Sequence, residues 1–265
     1  MKKFLSIVLV IMSLFAITGF VGESDIADVP ARQDASAENV LRVGTTTDYP
    51  PFAYYQKATK THIGFDIELM QDLGSEMGYD KVEFVQMGFN ELLPSLQEGK
   101  VDAAIACMTV TDERKEEVDF TAPYLEGVKS GVIAPSGTKV RNAEALKDKR
   151  IAVETGSVHV NRVKQYSDVV IECGSAEDAL KLVLDQKADF AVMDNFTARF
   201  YVTNFYKGKL NLMEELPDNT ETGVGIAIAK GNKEMLDKLN AALQNYRGTA
   251  AYYQMKKSYF GKLEV

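Results

Sequence analysis

The sequence predicts an α/β protein of two similar lobes, each an open mixed sheet flanked by helices, with a cleft between them. Three observations carry that expectation. From Val40 onward, strand-like and helix-like stretches alternate, the signature of sheets covered by helices. A helix, a Lys-x-Asp turn and an apolar strand occur over 90–108 and again over 176–194, with Asp102 and Asp189 at matching places. The 265 residues, 46% apolar and 26% charged, supply one sizeable core or two modest ones. One helix–turn–strand match is a common αβ connection. Two in the same order, with short strands over 41–45 and 150–155 running into Gly-, Thr- and Ser-rich turns, point to paired lobes.

The elements follow in order. Met1-Lys2-Lys3 precedes an apolar run over 4–21 broken only by Ser6, Ser13, Thr18 and Gly19. This reads as the charged and apolar regions of a secretory signal, residues 1–22. A retained membrane anchor is the competing reading, since the run nears a spanning length and no A-x-A site follows. No cysteine lies nearby to carry a lipid, so a free periplasmic protein is expected. Residues 23–39 read as a polar linker. The body opens with a strand over 41–44. From Asp66, Ile67, Met70, Leu73 and Met77 fall at nearly helical spacing, and Gly78 supplies a stop. Residues 90–98 form a second helix, with Leu92, Leu93 and Leu96 on one face, Pro94 in the first turn and Gly99 at the end. Residues 101–108 read as a buried strand.

Composition narrows the function. Thirty Lys and Arg against 38 Asp and Glu give a formal charge of −8, and no basic run offers a nucleic-acid surface. Loss of residues 1–22, which hold two lysines and no acid, takes the net charge to −10. Two cysteines, Cys107 and Cys173, and two histidines leave no material for a zinc cluster or a C-x-x-C redox pair. No metal and no cofactor are expected. The cysteines read as free thiols, because a disulfide between the lobes would restrain their motion.

In open α/β sheets ligands sit beyond the carboxyl ends of the strands, which selects residues 45–49 and 108–114 on one lobe and 155–159 with Asp194 on the other. Thr111 is a natural helix cap three residues before Arg114, and a guanidinium is the group best shaped to grip a carboxylate. Asp194 could receive an ammonium. Together they form the polar pattern of a zwitterion. By spacing alone, an exposed helix-start arginine and a capping aspartate fit at least as well.

Eight stretches in a fixed order change that weighting: GTTTDYPPF over 44–52, GFDIEL over 64–69, LPSLQEGKVD over 93–102, MTVTDER over 108–114, FTAPY over 120–124, VETGS over 153–157, AVMDN over 191–195 and GIAIAK over 225–230. Through them the chain resembles, from about residue 41 to 260, the extracytoplasmic amino-acid-binding proteins of ABC importers, the family 3 solute-binding proteins. The resemblance implies the type II periplasmic-binding-protein fold, with residues 40–127 and 218–265 as one lobe and 128–217 as the other. Hinges would lie near 126–129 and 217–222. It makes Arg114 the clamp for the ligand carboxylate, aided by Thr109 and the turn at Ser157, and Asp194 the partner of its ammonium. Ala106 and Met108 would offer backbone groups, Tyr49 and Phe89 would flank the side chain, and Phe52 would complete the wall. Phe52 and Phe89 read equally as core residues.

Departures bear on specificity. Relatives that take basic amino acids carry an acid where this chain has Thr46, and Val158 and His159 replace small polar residues. His159 reads as an exposed helix-start residue, with ligand contact as the alternative. The ligand expected is a polar or basic amino acid of the arginine, lysine, histidine and glutamine class. Closure on it would present both lobes to a membrane permease with its ATPase subunits, and the chain is expected to act as a monomer. The main rival is an enzyme, since a cyclohexadienyl (arogenate/prephenate) dehydratase shares this fold. It would need a general acid among Asp48, Asp112, Glu113, Glu154, His159 and Asp194. No nucleophile elbow, P-loop or dinucleotide turn appears, and no enzymatic activity or catalytic residue is expected. A sensor would carry a membrane helix and a signalling domain after the lobes, and neither precedes Val265 in the sequence.

Overall fold

The computed structural model describes residues 38–138, 142–216 and 223–261. The signal segment, the linker up to Ala37 and the crossing expected near 217–222 lie outside them. The first elements are β1 (Val40–Thr45), a small sheet of β2 (Asp48–Tyr49), β3 (Ala53–Gln56) and β4 (Thr61–Ile63), then α1 (Phe65–Glu76) and β5 (Lys81–Gln86). A 3₁₀ turn at Phe89–Glu91 leads into α2 (Leu92–Gln97), β6 (Ala103–Ala104), α3 (Asp112–Glu117) and β7 (Val118–Phe120). Next come β8 (Ser130–Pro135), β9 (Ile151–Glu154), α4 (Val158–Val163), β10 (Val170–Cys173), α5 (Ala176–Leu184), β11 (Phe190–Asp194), α6 (Asn195–Asn204) and β12 (Leu210–Glu215). The last are β13 (Ala227–Ala229), α7 (Lys233–Arg247) and α8 (Ala250–Phe260).

Two five-stranded sheets share one plan, β5-β1-β6-β13-β7 and β10-β9-β11-β8-β12. In each, the first three strands are parallel and the last two joins antiparallel. The repeated Lys-x-Asp turns occupy equivalent places. Asp102 accepts the backbone N–H of Arg42 at 2.8 Å and its guanidinium at 2.8 Å. Asp189 does the same for Arg150, at 2.9 and 2.8 Å. Each aspartate ties the start of one strand to the start of its parallel neighbour, so the sequence echo marks a shared strand-pairing device.

Helix α1 begins within a residue of expectation and turns Leu69, Met70 and Leu73 inward. Its first N–H groups are taken by the preceding turn: Phe65 donates to the Pro51 carbonyl and Asp66 to the Phe52 carbonyl, both at 2.9 Å. That close approach is why residue 64 is glycine. It sits at φ 134°, and a Cβ there would lie 2.1 Å from the Phe52 oxygen. The second helix starts as a 3₁₀ turn, and Pro94 falls on the third residue of α2, where its missing N–H has no intrahelical partner to lose.

The expected strand over 101–108 is shorter than its apolar run, for only Ala103–Ala104 pair in the sheet. Beyond them the chain turns at Cys107, which adopts φ 47°. The cause is remote in sequence. Asp66, fully buried, accepts the Cys107 N–H at 2.9 Å, and the Tyr124 hydroxyl meets the same N–H at 3.1 Å. Burial pushes the Asp66 carboxyl from the ordinary 3.8 to about 7, against the Cys107 N–H and the Tyr124 hydroxyl, which favour its charged form.

A folded-state value above the unfolded one means the native state holds the extra proton. Asp66 therefore contributes its stability below about pH 4, and that contribution fades as pH rises through 7. Stability should fall across that window with a slope approaching about 1.4 kcal/mol per pH unit. In Asp66→Asn this component should vanish while the N–H acceptor remains. Urea unfolding at a series of pH values checks it, and an unchanged slope in the variant would refute the assignment.

Candidate functional site

The carboxyl ends of the two sheets meet around a small cavity of about 10 Å3. One side supplies Tyr49, Phe89, Ala106, Cys107, Thr109 and Arg114. The facing side supplies Glu154, Ser157, Val158, His159 and Asp194.

Arg114 is placed by its own helix start. The Thr111 hydroxyl caps α3 by accepting the Arg114 N–H at 3.2 Å, which turns the side chain inward until only 9% of the residue is exposed. Nη1 donates to the Thr109 carbonyl at 2.7 Å, and Nη2 donates across the cleft to the Gly156 carbonyl at 2.9 Å. The guanidinium carbon lies 5.2 Å from the Phe89 ring centre, within cation–π range. Burial lowers the guanidinium to about 10, against the raising influence of Asp194, so it stays charged at neutral pH. Ser157 stands beside it, with a buried hydroxyl that has no hydrogen-bond partner among the described residues.

Asp194 ends β11 and is 4% exposed. Its Oδ2 accepts the Tyr49 hydroxyl at 2.7 Å and the Cys107 thiol at 3.4 Å. Tyr49 also accepts the Asp194 backbone N–H at 3.1 Å. Oδ1 has only the His159 Nε2, at 3.4 Å. Burial alone would raise this carboxyl. Electrostatic attraction to His159 and hydrogen bonds with His159, Tyr49 and Cys107 outweigh it and hold the group below the usual aspartate value.

Tyr49, Phe89, Ala106, Thr109, Arg114, Ser157, Val158 and Asp194 thus converge on one cavity. Two expected members do not. Phe52 is fully buried among aromatic rings, 5.3 Å from Phe260 and 6.4 Å from Phe196 between centroids. It supports Tyr49 from behind, at 6.2 Å, instead of forming a wall. Met108, expected to offer backbone groups, does not line the cavity: its side chain packs at 1% exposure with Leu92, Leu96 and Val118, and its carbonyl accepts the Gly225 N–H at 3.0 Å. His159 also differs from the exposed residue expected. It is 2% exposed, its Nδ1 lies 3.0 Å from the Ser130 hydroxyl, and its other nitrogen faces Asp194.

Three cavity residues had no site role in the sequence reading beyond a possible acid or ligand contact: Cys107, Glu154 and His159. For Cys107 the only local signal is its place between two cavity-side candidates. For His159 it is the alternation Val158-His159-Val160 opening α4. Both cysteines are free. The Cys173 thiol donates to the Val153 carbonyl at 3.2 Å.

Two sheets of one topology, joined at their carboxyl ends around a buried guanidinium and a buried carboxylate, define a two-lobed binding protein for a small charged molecule, a type II periplasmic-binding-protein fold. The chain belongs to the bacterial extracellular solute-binding proteins, family 3, whose family model matches residues 41–262. It is 31% identical over 229 residues to the ABC transporter arginine-binding protein 1 of Escherichia coli (strain K12), covering 85% of this chain and 93% of that one. A solved ancestral arginine-binding protein bound to arginine superposes with a TM-score of 0.77 at 34% identity, over 84% of this chain and 99% of the other. An ancestral amino-acid-binding protein, a precursor of cyclohexadienyl dehydratase, superposes with a TM-score of 0.75 at 30% identity, over 84% and 96%. These relatives are named as binding proteins, which favours binding over the dehydratase alternative.

Proposed function

We infer that the protein is the periplasmic amino-acid-binding component of an ABC importer. The observation that carries this reading is the convergence of Arg114 and Asp194, buried and opposite in charge, on one cavity. Beside them, among the described residues, Ser157 Oγ has no hydrogen-bond partner and Asp194 Oδ1 has only a distant imidazole. An α-carboxylate would take the guanidinium and the serine hydroxyl, and an α-ammonium would take Oδ1. The family and the arginine-binding name of the relative above support the same ligand class.

Arg114 lies on α3, just ahead of β7 in one sheet, and Asp194 ends β11 in the other. A ligand held by both binds the closed arrangement more tightly than any opened one and shifts the population toward it. The lobes would comprise residues 40–127 with 218–265, and 128–217. A permease and its ATPase subunits would receive the closed form. Binding without catalysis is the reading favoured, because the acids of the cavity have assignments as ligand partners.

A thermal-shift screen over the twenty amino acids tests this. Ligand that binds only the native state stabilises it by about 2.7 kcal/mol at a hundredfold excess over Kd, so a cognate amino acid should raise Tm by several degrees. No shift with any of the twenty would overturn the reading.

A further inference from the structure

We propose that Glu154 is the receptor for the far end of the ligand side chain, which makes the protein selective for amino acids with a cationic side chain, guanidinium or ammonium, over neutral ones. The proposal rests on the amino-acid-binding reading above and adds to it a ligand class and a specificity residue.

Glu154 ends β9 and lines the cavity at 6% exposure. Among the described residues its carboxyl has neither a hydrogen bond nor an ion pair, which is rare for a buried acid. Its location follows from the sheet. β9 pairs in parallel with β11, in register Ile151 to Phe190 and Ala152 to Ala191, so Glu154 and Asp194 terminate neighbouring strands, about 4.8 Å apart between strand axes. A zwitterion held by Arg114 and Asp194 satisfies those two groups and leaves Glu154 next along the rim, within reach of a side chain a few methylenes long.

Asp48 reinforces it from the facing hairpin. Its Oδ2 is buried with no hydrogen-bond partner, and its charge is among the causes that push Glu154 upward. Burial, then Asp48 and Asp194, raise Glu154 from 4.5 to about 8. With a neutral side chain beside it, Glu154 stays a protonated, unpartnered acid. A cation there lets it ionise and supplies the counter-charge that Glu154 lacks beside Asp48. Thr46 leaves the first strand without an acid, so the cation is recognised from the opposite lobe.

Isothermal titration with L-arginine and its neutral isostere L-citrulline tests this on the wild-type protein and Glu154→Gln. The wild type should prefer arginine by on the order of a hundredfold, the scale of leaving a buried charge unpaired. Glu154→Gln should bring the ratio near unity and leave unliganded stability unchanged or higher, since an unpartnered acid is removed. Asp48→Asn should lower the ratio by less. If the wild type binds citrulline or glutamine at least as tightly as arginine, or if Glu154→Gln keeps the preference, the proposal fails while amino-acid binding stands. If none of the twenty amino acids binds, both fall. Should Glu154→Gln not fold, the wild-type ratio and Asp48→Asn decide.

Discussion

Arg114→Ala should weaken binding of the cognate amino acid by about 2–5 kcal/mol, a loss of roughly thirtyfold to several thousandfold. The guanidinium is nearly buried and held from both sides by the Thr109 and Gly156 carbonyls, so its geometry is set before ligand arrives and little ordering is needed on binding. Removing it leaves the ligand carboxylate desolvated in a cavity that already holds Glu154 and Asp194. Arg114→Lys should recover only part of the affinity, since an ammonium has no planar fork. Titration calorimetry on folded variants measures both, and wild-type affinity in Arg114→Ala would refute the carboxylate assignment.

Phe52→Ala should lower stability by about 3–5 kcal/mol while affinity in the folded fraction stays within about threefold. The ring is fully buried and touches Phe260 of α8, Phe196 of α6 and Tyr49. The cluster continues from Phe260 to Phe65 at 4.9 Å and to Phe196 at 4.8 Å, so truncation opens a cavity where several elements meet. Urea unfolding reads the stability and titration the affinity. A hundredfold loss of affinity with unchanged stability would return Phe52 to the ligand wall.

The contrast between these residues shows what could be read in advance. The helix start before Arg114 was legible because it is local, Thr111 capping three residues ahead, but spacing alone fitted an exposed arginine at least as well, and its place in the cleft was implied only by the resemblance. Asp194 was legible as a strand end at the rim, but a capping aspartate fitted as well until the resemblance was weighed. The paired aspartates Asp102 and Asp189 were visible as a repeat, although their grip on Arg42 and Arg150 was not. Phe52 and Phe89 read alike, as apolar residues near motif boundaries. Only distant rings, Phe260 and Phe196 for one and the Arg114 guanidinium for the other, separate core from cleft.

His159 was misplaced for a related reason. The burial of His159 depends on Ser130 and Asp194, which arrive on β8 and β11. The left-handed turn at Cys107 likewise depends on Asp66, which arrives on α1. Neither contact leaves a periodic trace, since periodicity reports the face a residue shares with its neighbours along the chain and not what approaches that face from elsewhere.

By itself the sequence determined the alternation of strands and helices, the doubled plan, the helix caps, the acidic balance and the motifs that place this chain in its family. All of these depend on residues within a turn or two of one another, or on counts. The tertiary structure alone decided which acids share a cavity, which aromatic residues are core and which carboxyl lacks a partner. Those properties are set by desolvation and by charges a few ångströms away in space, and the groups responsible lie on separate elements and, at the cleft, on opposite sheets.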